Sequence, residues 1–200
     1  MPDQLPIYKC VIEDQLDSDL QVEFVSFVDK PAIDRNFLAF KDQLRFSIDE
    51  EKRIVCGPVM LADMLLYRND PGGLGEYYTT FDKKSITAIV QKFCKKGFLQ
   101  NFNLMHDLNK KTSGVSIFES IIVDEERGTK PMKGFEDAKE GSWFISAKVE
   151  DDTVWEKVKN GEVKGFSVEG IFKQIPIKMQ KLSAEVALDK IKAIMASIEN

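Results

Sequence analysis

The sequence predicts a strand-rich fold of mixed α and β structure, and three observations point there. Short runs of aromatic and β-branched residues recur along the chain, separated by turn formers. Only a few windows carry the apolar period of a helix. Hydrophobic residues make up 43% of the chain and include 14 phenylalanines, enough to bury a sizeable core. At 200 residues the chain is one domain with extensions, or one large domain.

The first 50 residues read as extended pieces between acidic turns: residues 6–13, 21–29, 36–40 and 44–48. In the second piece Val22, Phe24, Ser26 and Val28 alternate with Glu23, Val25 and Phe27, so both faces are largely apolar and at least part of the strand should be covered twice. Residues 53–67 begin as a strand and are interrupted by Gly57-Pro58. Residues 68–73 stack turn formers into an exposed loop, and residues 76–81 return to a strand.

The clearest helix follows, capped by Asp82 or Ser85. Its stripe is Ile86, Ile89, Val90, Phe93 and Cys94, and Gly97 closes it. On that stripe Cys94 reads as a small buried hydrophobe. Strands are expected over residues 101–107, 115–124 and 142–150, with residues 125–141 forming a long, polar surface loop between the last two. A short helix starts at Asp151-Asp152 and stops at Asn160-Gly161, and residues 164–172 make a final strand. Residues 183–200 form a helix with a heptad-like seam of Ala184, Leu188, Ile191, Met195 and Ile198.

Charge and composition exclude several classes of function. There are 28 Lys plus Arg against 33 Asp plus Glu, a net charge of −5, with no basic block, which argues against nucleic acid or an anionic membrane as the main partner. A single histidine excludes His-rich zinc sites and any triad that needs two, and no cofactor or metal motif occurs. Cys10, Cys56 and Cys94 are widely spaced and odd in number, the pattern of free thiols in a reducing compartment. No basic leader followed by an apolar run, and no membrane-length apolar stretch, is present, so a cytoplasmic location is expected.

Any histidine-dependent chemistry must use His106. It would share a strand face with Phe102 and Leu104; the plainer reading is a hydrogen-bonded histidine at a strand end. Ser167, in Gly165-Phe166-Ser167-Val168-Glu169-Gly170, is the one glycine-flanked serine where a substrate backbone could approach a strand nucleophile. The alternative is a strand whose glycines serve bulges or close packing. Glu119 would share its face with Val115, Ile117, Ile121 and Val123, where a lone carboxylate costs several kcal/mol unless paired, so it needs His106 or a rim lysine. Asp107, beside His106, and Glu169, two residues from Ser167, are the other acids near these motifs. Cys56 is a weaker nucleophile candidate, and the lysine pairs read as solvated helix ends and turns.

The order of these motifs resembles a family. A strand ends in His106; the next holds Glu119-Ser120; another begins at Gly141-Ser142-Trp143 and runs to Lys148-Val149; a short helix surrounds Trp155-Glu156-Lys157-Val158; then comes Gly165-Phe166-Ser167. Together with the upstream residues 25–33 and Phe37-Leu38, they resemble the prohead (capsid maturation) serine proteases of tailed bacteriophages, which share a clan with the herpesvirus assemblins. The similarity spans about residues 20–173.

The resemblance implies an α+β fold, mainly an antiparallel β-barrel of the assemblin/prohead-protease type with a few flanking helices. It implies an N-terminal extension (1–20), a protease barrel (21–175) and a C-terminal helical tail (176–200). Ser167 maps to the nucleophile and His106 to the general base. The phage branch uses an acid where the herpesvirus branch uses a second histidine, and Glu119 matches that position. The implied substrates are scaffold protein and major capsid protein inside the prohead, in the host cytoplasm, with self-cleavage and a possible homo-oligomer through the C-terminal helix. The rival reading is a non-catalytic head protein with the same barrel, docking through that helix.

Overall fold

The computed structural model describes residues 5–31, 47–49 and 52–177. The helix expected over 183–200 and the strand expected over 36–40 lie outside the described residues. The chain is α+β: twelve described strands in three sheets, with two helices.

The first sheet orders β12 (Lys173–Pro176), β1 (Ile7–Val11), β6 (Gly75–Thr80) and β5 (Leu66–Asp70). The second orders β3 (Ser47–Asp49), β4 (Ile54–Met60), β10 (Trp143–Val149) and β9 (Val115–Ile122). The third orders β11 (Gly165–Gly170), β2 (Val22–Val28), β7 (Phe102–Leu104) and β8 (Asp107–Thr112). Pairing is antiparallel except for β1 with β6 and β2 with β7. None of the three closes on itself among the described residues; the second and third meet where β11 packs on β4.

Several sequence expectations hold and others are corrected. Helix α1 (Lys83–Lys95) starts at an Asp82 cap whose carboxylate accepts from Ser85 N, and Gly97 stands at φ 71° beyond its end. Cys94, however, is exposed. Eight steps from Ile86 carry it about 80° round the helix, to the edge of the stripe. Helix α2 (Asp152–Lys159) is capped by Asp151 and ends before Gly161 at φ 68°. Strand β4 runs straight through Gly57-Pro58, and the β10 ladder is bulged beside Pro58, between Trp143 and Phe144. Arg68, Asn69 and Asp70 belong to β5, so the expected loop is a hairpin turn closing on β6. The polar stretch 125–141 is pinned by a second small core, in which Phe135 meets Phe144 edge-on at 5.6 Å beside Val123.

The main core lies between the sheets and α1. Trp143 is wholly buried against Phe93, ring centroids 5.5 Å apart, and donates its indole N–H to Ser120 Oγ at 3.0 Å. Strand β2 is covered on both faces, as its apolar alternation requires.

One buried cation ties the N-terminal loop down. Lys92, 3% exposed, donates to the carbonyls of Glu13 (3.0 Å), Ser18 (3.0 Å) and Leu20 (3.1 Å), so all three ammonium hydrogens are used. Lys92→Met leaves three carbonyls without their donor. It should lower the unfolding free energy by about 2–4 kcal/mol, read as a fall in the urea midpoint at unchanged slope.

Candidate active site

Three adjacent strands of the third sheet bring the candidate residues together. Ser167 on β11 is the cross-strand partner of Ser26 on β2, and Ser26 is in turn the partner of Asn103 on β7. Directly paired residues point to the same side of a sheet, so Ser167, Ser26 and Asn103 form one row, with Glu169 two residues along on the same face. The other face carries Phe27 between Phe102 and Phe166, at 5.4 and 5.5 Å, and belongs to the core.

His106 reaches this row from a turn. The strand ends at Leu104, which pairs with Asp107, so Met105 and His106 are the two central residues of a hairpin, at φ 54° and 57°. That is the left-handed region required by primed hairpin turns and uncommon for non-glycine residues. The expected alternation of Phe102, Leu104 and His106 is therefore broken by the turn, and an additional strand, β8, follows. Phe27 O accepts from Met105 N at 2.9 Å, which anchors the strained turn to β2.

A chain of hydrogen bonds then sets the histidine's state. Asn103 Nδ2 donates to Glu169 Oε2 at 2.5 Å, Ser26 Oγ donates to Asn103 Oδ1 at 2.5 Å, and Ser26 Oγ lies 3.0 Å from His106 Nδ1. A carboxylate only accepts, so Asn103 must turn its NH₂ to Glu169 and its oxygen to Ser26. That oxygen only accepts, so the single Ser26 hydrogen goes to it. The Ser26 oxygen can then only accept from His106, and the ring hydrogen sits on Nδ1. In the neutral imidazole Nε2 is left bare, a base nitrogen.

Ser26 and Asn103 are both 0% exposed, whereas the His106 side chain is 43% exposed. The buried members thus hold fixed partners while the ring stays open to solvent. Burial lowers the His106 pKa below its ordinary 6.5; Glu169, 3.9 Å from Nδ1, opposes the shift, and the Arg68 guanidinium adds to it.

The remaining candidates lie apart from this cluster. A bulge between Ser146/Ala147 and β9 skips Phe118, so the alternation of β9 slips by one: Val115 and Ile117 face the main core, but Glu119 pairs with Ser146 on the other side. The apolar face expected for Glu119 is thereby corrected. Glu119 is exposed, and its carboxylate makes no hydrogen bond or ion pair with any described residue. Asp107 turns to Lys110, at 3.2 Å, and to Asn109 N. Cys56 donates to Ser146 Oγ at 3.2 Å. Ser26 and Asn103 escaped the sequence reading because each looks like an ordinary polar residue in an apolar strand. The available signal was that a buried polar side chain on a doubly covered strand demands a partner.

Residues 43–176 match a family described as "Putative phage serine protease XkdF", a span that includes His106, Ser167 and Glu169 and begins after Ser26. The chain is 26% identical over 175 residues to the uncharacterized protein YqbD of Bacillus subtilis (strain 168), covering 85% of this chain and 50% of that protein. The chain thus spans about half the length of the curated relative it matches. No solved structure matches.

The charges around His106 make a test independent of catalysis. Removing Glu169 removes the interaction that raises the pKa, so Glu169→Gln should move the His106 titration to lower pH. Arg68→Gln should move it to higher pH. Proton NMR of the sole imidazole reads both shifts, and their signs must be opposite.

Proposed function

Because the chain belongs to this phage serine protease family, we propose that it is a serine endopeptidase with Ser167 as nucleophile and His106 Nε2 as general base. The acid is Glu169, acting through Asn103 and Ser26 rather than by direct contact. The observation that carries this reading is the tautomer: one histidine, its Nδ1 committed to Ser26, its Nε2 bare, and Ser167 one cross-strand step from Ser26. That step is about 5 Å between Cα atoms. Glu169 is preferred over Glu119 as the acid because it is already coupled to the histidine.

In the proposed reaction His106 Nε2 takes the Ser167 hydroxyl proton as Oγ bonds to a peptide carbonyl carbon. The imidazolium, with Glu169 3.9 Å from Nδ1, then returns that proton to the leaving amine as the C–N bond breaks. Water, deprotonated by the same nitrogen, attacks the acyl carbon, and the imidazolium gives that proton to Ser167 Oγ as the ester C–O bond breaks, which restores the enzyme. The hydrogen-bond chain keeps Nδ1–H on Ser26 through both halves, so that Nε2 is the nitrogen that takes and returns each proton.

The substrates we propose are the scaffold protein and the major capsid protein inside the prohead, in the host cytoplasm, with cleavage of the chain itself. The phage description of the family and the motif order support this. The same reading takes the three sheets as the wall of a prohead-protease barrel, with residues 176–200 as a tail available for self-association.

Co-expression with capsid and scaffold proteins tests the proposal. Ser167→Ala and His106→Ala should each reduce processing by about ten-thousand-fold or more, to the point where no cleaved product is seen. Unchanged processing in either variant contradicts it, and capsid association without any cleavage by the unaltered chain favours the non-catalytic head protein.

A further inference from the structure

A cavity of about 120 Å³ opens beside Ser167, where the free edge of β11 faces the first sheet and the end of β4. Its walls include Cys10, Met60, Met64, Leu66, Phe81 and Phe172. Phe81 and Phe172 meet edge-on at 5.0 Å, giving one rigid aromatic wall, whereas the two methionines are adaptable.

The polar groups in the wall are few and mostly engaged. Thr79 Oγ1 donates to the Leu66 carbonyl at 3.5 Å, and Gln174 Nε2 donates to Tyr77 Oη at 3.4 Å. Cys10 is buried, which pushes its thiol up to about 11, so it lines the cavity as a neutral, weakly polar group. Arg68 differs. It is exposed, its guanidinium makes no hydrogen bond or ion pair with any described residue, and its charge lowers the pKa of both His106 and Cys10. Its guanidinium, unpaired among the described residues, thus lines the apolar cavity and also acts on the histidine.

From this arrangement we propose that the cavity is the specificity pocket of the protease. It takes one apolar side chain of about leucine or methionine size from the residue flanking the scissile bond, and Arg68 at its mouth turns away lysine and arginine. The proposal rests on the catalytic reading above and adds the substrate class. Size supports it: an engineered apolar cavity of about 150 Å³ holds a benzene molecule, so this one is matched to an aliphatic side chain and is small for tryptophan. Charge supports it too. A lysine could lay its methylenes along the walls, but its ammonium would emerge beside the Arg68 guanidinium, a like charge.

The test is cleavage of a synthetic peptide library by the full 200-residue chain at pH 8, with new termini read by mass spectrometry. Leu and Met should be enriched at one position flanking the cut, with Lys and Arg depleted by about 10- to 100-fold. Arg68→Gln, at an exposed site, should bring the Leu-to-Lys ratio of kcat/KM down by about tenfold or more. Leu66→Trp, which fills the cavity, should move the preference toward Ala and Ser. Ser167-dependent cleavage without apolar preference, or a preference unmoved by both variants, overturns the pocket assignment alone. If no library member is cleaved in a Ser167-dependent way, the catalytic reading fails and the pocket assignment fails with it.

Discussion

The hydrogen-bond chain from Glu169 through Asn103 and Ser26 to His106 is the constraint on which the site depends. Its direction is decided at one end. A carboxylate offers no hydrogen, so every donor along the chain must point toward Glu169, and the last consequence is an imidazole with its hydrogen on Nδ1. Both middle members are fully buried, where an unpaired amide or hydroxyl costs about 1–3 kcal/mol. Reversing the chain would leave such a group unpaired. The fold thus supports the tautomer with the same interactions that satisfy its own interior.

Strand order makes the chain possible. Asn103, Ser26 and Ser167 are close because β2 pairs in parallel with β7 on one side and antiparallel with β11 on the other, which lines up residues far apart in sequence. The apolar faces of those strands, with Phe27 between Phe102 and Phe166, hold the register. A slip of one residue would put the polar row into the core. His106 is delivered by a turn whose left-handed residues carry strain, offset by the contact of Met105 N with Phe27 O. Preorganisation here comes from packing that would exist in any stable sheet.

Helices α1 and α2, the doubly covered strand β2 and the strand holding Ser167 were legible in the sequence, because each is encoded locally by caps, period and alternation. His106 and Ser167 stood out by elimination: one is the sole histidine, the other the one glycine-flanked serine. What could not be read was whatever depends on pairing between distant strands. Ser26 and Asn103 become a hydrogen-bonded pair only through the register of β2 with β7. The position of Glu119 turned on a single bulged residue, Phe118, which reverses the face of everything after it and has no local signal. The choice among Glu119, Asp107 and Glu169 was therefore open in sequence, and our proposal of Glu169 rests on its hydrogen-bonded link to the histidine. Likewise the apolar cavity draws on Cys10, Phe81 and Phe172, residues that only the three-sheet arrangement brings together.

With a single histidine in 200 residues, the central claim can be read from one imidazole. Long-range proton–nitrogen NMR of the ¹⁵N-histidine-labelled chain, at a pH well above the lowered His106 pKa, reports which ring nitrogen carries the hydrogen. The account predicts a protonated Nδ1 and a bare Nε2, with that pattern lost in Ser26→Ala. A predominant Nε2–H tautomer in the unaltered protein would contradict it, because the nitrogen available to Ser167 would then be unable to accept its proton.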